Sequence, residues 1–166
     1  MEIRRARGDR VPAIAELYVS NQKEAYRGLL SDEYLNALTP ERAAEKWAAY
    51  PADGGTLFLA EESGALLGFA ACKRDETLAD CLYLDSLHVA AASRGRGVGR
   101  ALIARVAQFA RESGLRKMSV CVVRGNDRAR ALYVSLGARH FSCFTDDFGG
   151  TPSRSEKLLW DELPAL

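Results

Sequence analysis

No run of apolar residues in this sequence approaches the ~20 that a bilayer-spanning helix needs, and 27% of the chain is charged. No membrane span is expected. Neither sign of charge dominates: 23 basic against 22 acidic residues leave a formal net charge of +1. Nothing in that balance argues for a nucleic-acid or anionic-lipid partner. Cysteine is scarce, with four residues, and no two of them form a C-x-x-C pair, so zinc-site spacing is missing and no metal is expected. Cys72, Cys81, Cys121 and Cys143 each lie in or beside an apolar, strand-like run. They read as free buried thiols acting as small hydrophobes. The amino terminus, MEIRRARGDR, lacks the apolar stretch of a secretory signal, so a cytoplasmic, reduced protein is expected. Internal repeats, low-complexity tracts and linker-like composition shifts are absent as well.

What is present is a chain of 166 residues, 48% of them hydrophobic. That share is too high for disorder, and the length suits a single domain over residues 1–166, since one core usually serves roughly 100–200 residues. Glu2–Arg5 reads as a strand. Asp9 then offers an N-cap to a helix carrying Val11, Ile14, Ala15 and Tyr18 at helical spacing. Ser31 and Thr39-Pro40-Glu41 look like two further helix starts, the second with proline at its first position. Asp53-Gly54-Gly55 marks the change to strand periodicity. Thr56–Glu61 and Leu66–Lys73 form a hairpin around Glu62-Ser63-Gly64, and Leu82–Val89 is another strand. Val98–Glu112 is the clearest helix, with Val98, Leu102, Val106 and Phe109 on one stripe and Gly114 to close it. Lys117–Val123 is a strand, Asn126–Leu136 a helix stopped by Gly137, and His140–Thr145 and Lys157–Asp161 two closing strands. The order β, α, α, β, β, β, α, β, α, β, β combines an antiparallel meander with one right-handed parallel crossover from Leu82 to Val123. The expected class is α+β (mixed α/β), a sheet with helices on its faces.

Chemistry concentrates after the strand Leu82–Val89, where Arg94-Gly95-Arg96-Gly97-Val98-Gly99-Arg100 opens the long helix. Glycines at alternate positions let backbone approach a ligand without Cβ interference. The first N–H groups of the helix are unpaired and sit at the positive end of its dipole. With three arginines beside them, they make an anion site suited to a phosphate or pyrophosphate. The Walker pattern is absent, and Gly95, Gly97 and Gly99 are spaced differently from the dinucleotide fingerprint.

Arg94-x-x-Gly97-x-Gly99 between a strand and a long helix resembles the signature of the GNAT superfamily of acyl-CoA-dependent N-acetyltransferases. The preceding Leu87-His88-Val89 and the downstream Asn126, Ala131, Leu132, Tyr133, Leu136 and Gly137 are similar to the rest of that pattern. Tyr26–Leu30, Tyr34-Leu35, Phe148-Gly149-Gly150 and Trp160 resemble one bacterial branch of it. The resemblance implies a mixed, mainly antiparallel central sheet of about seven strands whose fourth and fifth strands splay apart around acetyl-CoA. It implies that the strand end Leu87-His88-Val89 pairs with the pantetheine arm. The turn of Arg94, Gly95, Arg96, Gly97, Val98, Gly99 and Arg100 would hold the pyrophosphate, and Asn126 and Tyr133 would contact the cofactor. It leaves open a homodimer formed through late strands or helix faces.

Acetyl transfer to an amine needs a neutral amine, a stabilised oxyanion and a proton for the departing thiolate. Lysine-like amines titrate near 10.4 and thiols near 8.5, so both proton movements need help. Tyr133 occupies the family's position for protonating sulfur; the residue also fits a core tyrosine on its helix stripe. The Val89 N–H is the candidate for polarising the thioester carbonyl. Many relatives carry a glutamate where Tyr83 stands here. The nearest carboxylate is Asp85, alone among Leu82–Leu87, as base or as a local hydrogen-bonding residue. His88, whose ordinary pKa suits neutral pH, and a water chain are further candidates; His140 reads as structural. The acceptor is expected between Asn21–Leu30, with Glu24 and Tyr26, and a loop Thr145–Ser155, with Asp146 and Asp147 beside Phe148 and two glycines that would let it move as a lid. Carboxylates near an aromatic ring suit a cationic amine. The expected function is transfer of acetyl from acetyl-CoA to a primary amine of a small molecule or peptide by direct attack in a ternary complex. A noncatalytic acyl-CoA-binding sensor or interaction module is the alternative.

Overall fold

The structure, a computed structural model, describes residues 1–148 and 150–166. Strand β1 (Glu2–Arg5) leads through a short 3-10 turn at Gly8–Arg10 into α1 (Val11–Tyr26). Asp9 sits inside that turn and caps nothing; α1 starts two residues later, with proline in its first turn. Helix α2 (Asp32–Ala37) and helix α3 (Pro40–Ala49) start where expected. The Ser31 hydroxyl accepts from the Tyr34 N–H, and the Thr39 hydroxyl accepts from the Arg42 N–H, satisfying one orphan donor at each terminus. Three helices precede the second strand, matching the three helix starts rather than the two helices of the expected element order.

Strands β2 (Thr56–Glu62), β3 (Ala65–Arg74) and β4 (Cys81–Val89) form the antiparallel meander. Helix α4 (Val98–Glu112), strand β5 (Lys117–Val123) and helix α5 (Asp127–Ser135) follow, then β6 (Arg139–Phe148) and β7 (Thr151–Trp160). The seven strands lie in the order β1-β2-β3-β4-β5-β7-β6, and the β4–β5 pair is parallel while all others are antiparallel.

Residues alternate faces along the strands. Phe58, Ala70, Leu82, Leu84, Met118 and Trp160 pack with Leu102, Ile103 and Val106 of α4. Leu57, Leu59, Phe69 and Ala71 pack on the other face with Ile14 and Tyr18 of α1 and Trp47 of α3.

Two departures from the expected layout bear on the site. The last two strands are far longer than their apolar runs: β6 pairs with β7 from Arg139↔Leu159 to Phe148↔Thr151. Nearly all of β6 is exposed on the edge of the sheet, where hydrophobic alternation is weakest as a signal. The anticipated loop Thr145–Ser155 is thus mostly hairpin; of the glycine pair at its tip, Gly149 lies outside the described residues. Cysteine burial is also uneven, with Cys72 and Cys81 buried, Cys121 half-buried and Cys143 exposed on β6.

Candidate active site between the splayed strands

Strands β4 and β5 pair only from Cys81↔Lys117 to Leu84↔Val120. Beyond that point Ser86–Val89 stays paired to β3, whereas Cys121–Val123 follows β7. The two strands part, and a cleft of about 550 Å³ opens between them. A bulge starts the opening: Cys72 faces Leu84 and Ala71 faces Ser86, which leaves Asp85 as the extra residue of β4. Bulges bend a strand and re-aim its side chains. No feature of the sequence marks this one.

At the far end of β4 the chain turns into α4. Gly97 is the N-cap, with φ +79 and no side-chain cap, and Gly95 has φ +77. A residue with a Cβ is strained at such angles, and a Cβ at either position would meet no protein atom within 4 Å. The helix terminus therefore offers uncapped N–H groups across open space.

Of the expected cofactor residues, Leu87, His88, Val89, Arg94, Gly95, Gly97, Val98, Gly99, Arg100, Asn126 and Tyr133 all line this cleft. Arg96 does not; it turns away to pair with Glu62 at 2.7 Å. Arg94 is held by Glu24 and by Asn21 Oδ1 at 3.3 Å. Arg100 makes no ion pair among the described residues. Asn21, buried on α1, also donates to the Val89 carbonyl at 3.0 Å. Within a strand the N–H and C=O of one residue point the same way, so the Val89 N–H faces the gap with its carbonyl. Sequence reasoning passed over Asn21, although a polar residue three positions beyond Tyr18 on an apolar stripe is a signal.

Asp85 lines the cleft where the strands part and accepts a hydrogen bond from the Tyr50 hydroxyl at 3.0 Å. The His88 ring stacks on Phe69 (centroids 5.1 Å apart) and meets Tyr18 edge-on. Burial, with Lys46 nearby, pushes its pKa down to about 3. A neutral imidazole of such low basicity makes a poor proton acceptor near pH 7. Tyr133 is 6% exposed and meets Trp160 edge-on; burial and the adjacent Tyr26 raise its pKa, so it keeps its proton.

The expected acceptor residues separate. Tyr26 lines the cleft, and Glu24 does so while bound to Arg94. Asp146 and Asp147 belong to β6 and do not line it. Asp147 accepts from the Gly150 N–H at 2.7 Å and so fastens the hairpin turn. His140 bridges to Glu156, consistent with a structural role. Among the described residues no helix is long and apolar enough to cross a membrane, and no cluster of metal-ligating side chains occurs.

Comparison with known proteins agrees with this geometry. The profile of the acetyltransferase (GNAT) family matches residues 14–138. An uncharacterized N-acetyltransferase of Bacillus subtilis (strain 168) is 26% identical over 99% of this chain and 95% of its own length. A ribosomal-protein-alanine N-acetyltransferase from Brucella melitensis superposes with a TM-score of 0.77 at 23% identity, covering 96% of this chain and 99% of the other. The structure of yncA from Salmonella typhimurium, solved with its cofactor acetyl-CoA, superposes with a TM-score of 0.74 at 20% identity, covering 100% and 95%. The chain therefore belongs to the GNAT family and is an acetyl-CoA-dependent N-acetyltransferase.

Proposed function

We propose that the cleft transfers acetyl from acetyl-CoA directly to a primary amine of a small molecule or peptide, with both substrates bound together. The observation that carries this reading is the pairing of opposite chemistries along β4. An uncapped helix terminus with Arg94 and Arg100 lies past its end, and a carboxylate, Asp85, lies where it leaves β5. The first suits a pyrophosphate; the second suits an amine that must lose a proton.

Acetyl-CoA supplies a thioester whose carbonyl carbon accepts the amine nitrogen as the carbon–sulfur bond breaks. The turn from Arg94 to Arg100 holds the diphosphate through backbone N–H groups and guanidinium charge. The backbone of Leu87 and Val89 lies alongside the pantetheine arm, and the Val89 N–H donates to the carbonyl oxygen as it gains charge. Asp85 takes the proton from the amine nitrogen. That proton comes from the ammonium form of the amine and leaves to solvent; Tyr133 gives its hydroxyl proton to the departing sulfur and regains one from the nitrogen of the tetrahedral adduct. On the acceptor side, Tyr26 lines the cleft, and the Tyr34 ring meets Phe148 edge-on, its pKa raised by burial and by Tyr18, Tyr26 and Asp146. Hydroxyls and rings beside the Asp85 carboxylate favour a cationic amine over an acidic one.

Turnover of acetyl-CoA across a panel of cationic, neutral and acidic amines tests the reading. Acetylation of at least one amine, fastest among the cationic ones, is expected. Binding of CoA with no turnover on any amine would leave a noncatalytic acyl-CoA-binding module instead.

A further inference from the structure

We infer that Tyr50 is a positioning residue for the reaction: its hydroxyl fixes the Asp85 carboxylate for proton abstraction, and Gly55 exists to let its ring do so. The inference rests on the reading of Asp85 as base.

Asp85 is the bulged residue of β4, outside the regular pairing with β3, so the sheet ladder alone does not set its side chain. Tyr50 does. It stands at the C-terminal cap of α3, 7% exposed, with its ring against Trp47 at 5.1 Å. The chain then turns back, and the Gly55 N–H donates to the Tyr50 carbonyl at 3.0 Å. That contact brings Gly55 under the ring: a Cβ there would lie 2.2 Å from Cε1 and 2.8 Å from Cζ of Tyr50. Any larger residue would have to displace the ring. Locked between Trp47 and Gly55, the phenol donates to Asp85 Oδ2 at 3.0 Å. The other oxygen, Oδ1, makes no hydrogen bond among the described residues, and it is the one left for the amine.

The remaining groups around Asp85 do not replace this bond. Tyr18 of α1, Lys46 of α3, Cys72 of β3 and Tyr83 of β4 all feel its charge. Lys46 Nζ, however, donates to the Tyr18 hydroxyl at 3.3 Å and lies over the Tyr18 and Trp47 rings. Cys72 lies buried in the core and turns its thiol to the Thr56 carbonyl. A hydrogen bond to a carboxylate favours its charged form. Losing the Tyr50 hydroxyl would therefore remove a bond that holds the carboxylate in its charged form, while leaving the cofactor end untouched.

The test measures kcat/KM for one accepted amine against pH in wild type, Y50F, D85N and the double variant, with melting temperature and acetyl-CoA KM alongside. Taking the ratio of wild type to Y50F at each pH cancels the amine's own titration. The ratio should grow as pH falls, by up to about tenfold if the acid limb moves by about one pH unit, with acetyl-CoA KM unchanged. In the D85N background the Tyr50 substitution should change nothing. Gly55→Ala, which moves the ring but keeps the hydroxyl, should reproduce the same pH-dependent ratio and carries the test if Y50F folds poorly. A ratio independent of pH, or one equally large without Asp85, would reduce Tyr50 to a packing residue and overturn the inference. D85N indistinguishable from wild type would instead overturn the assignment of Asp85 as base, and the inference with it.

Discussion

Glu24 grips Arg94 with both carboxylate oxygens, Oε1 to one guanidinium nitrogen at 2.6 Å and Oε2 to another at 2.8 Å. One partner was expected to hold the acceptor amine and the other the pyrophosphate; the fold joins them across α1 and the β4–α4 turn. The carboxylate orients the guanidinium but also places a negative charge beside an anion site. Glu24→Gln should therefore tighten CoA binding a few-fold, because exposed pairs of this kind contribute at most about 1 kcal/mol, and should steepen its salt dependence. Calorimetric titration of CoA checks this. A raised amine KM with unaltered CoA affinity would return Glu24 to the acceptor site.

Gly97→Asp replaces the N-cap of α4, where φ is +79, with a strained residue carrying negative charge at the anion site. Wild type should melt at higher temperature with CoA, since ligand at ~100 times its Kd adds about 2.7 kcal/mol. The variant should lose that gain. A folded Gly97→Asp protein stabilised by CoA as well as wild type would show that the phosphates bind elsewhere.

For Tyr133→Phe the ring stays packed on Trp160 and one hydroxyl is lost. Proton delivery to a leaving group is worth roughly 10²–10⁴-fold, so kcat should fall within that range and CoA affinity should hardly move. Single-turnover measurement isolates the chemical step; an unchanged rate there would hand protonation of the sulfur to solvent.

Below the cleft, Asp75 ties together three elements. Its side chain is 3% exposed, and it accepts from Lys157 at 2.7 Å, Ser119 at 2.5 Å and the Thr77 N–H at 2.8 Å. Burial alone would raise its pKa, but these bonds, led by Lys157, bring it down to about 2. A folded-state value below the ordinary ~3.9 means that the stabilisation is complete above that value and disappears as pH falls through about 2. His88 acts over a higher window: its folded value of about 3 penalises the fold from near pH 6.5 downward. Asp75→Asn should cost roughly 3–5 kcal/mol at pH 7, as breaking a buried, hydrogen-bonded pair does, and should flatten the acid limb of a denaturation-versus-pH curve. A wild-type curve in that variant would contradict the assignment.

The sequence made the helices, the meander and the anion turn legible because each rests on local signals: Ser31 and Thr39 as caps, the apolar runs on either side of Glu62-Ser63-Gly64, glycines and arginines converging on a helix start. What it hid depends on pairing between distant segments. The bulge at Asp85 exists only in register against Ala71 and Cys72, and Tyr50 meets Asp85 only after α3 docks on the sheet. The length of β6 was obscured because an exposed edge strand needs no apolar alternation. Ion pairs such as Glu24–Arg94 and Arg96–Glu62 carry no sequence signature at all.

The central claim is direct transfer between two substrates held in the cleft at once, and initial velocities over a grid of acetyl-CoA and amine concentrations test it most directly. Double-reciprocal lines that intersect, with one acetylated amine formed per CoA released and no acetyl group retained on the protein, are the predicted result. Parallel lines together with an acetyl adduct on the cleft residue Cys121 would contradict it, because the acyl group would then pass through the enzyme before reaching the amine.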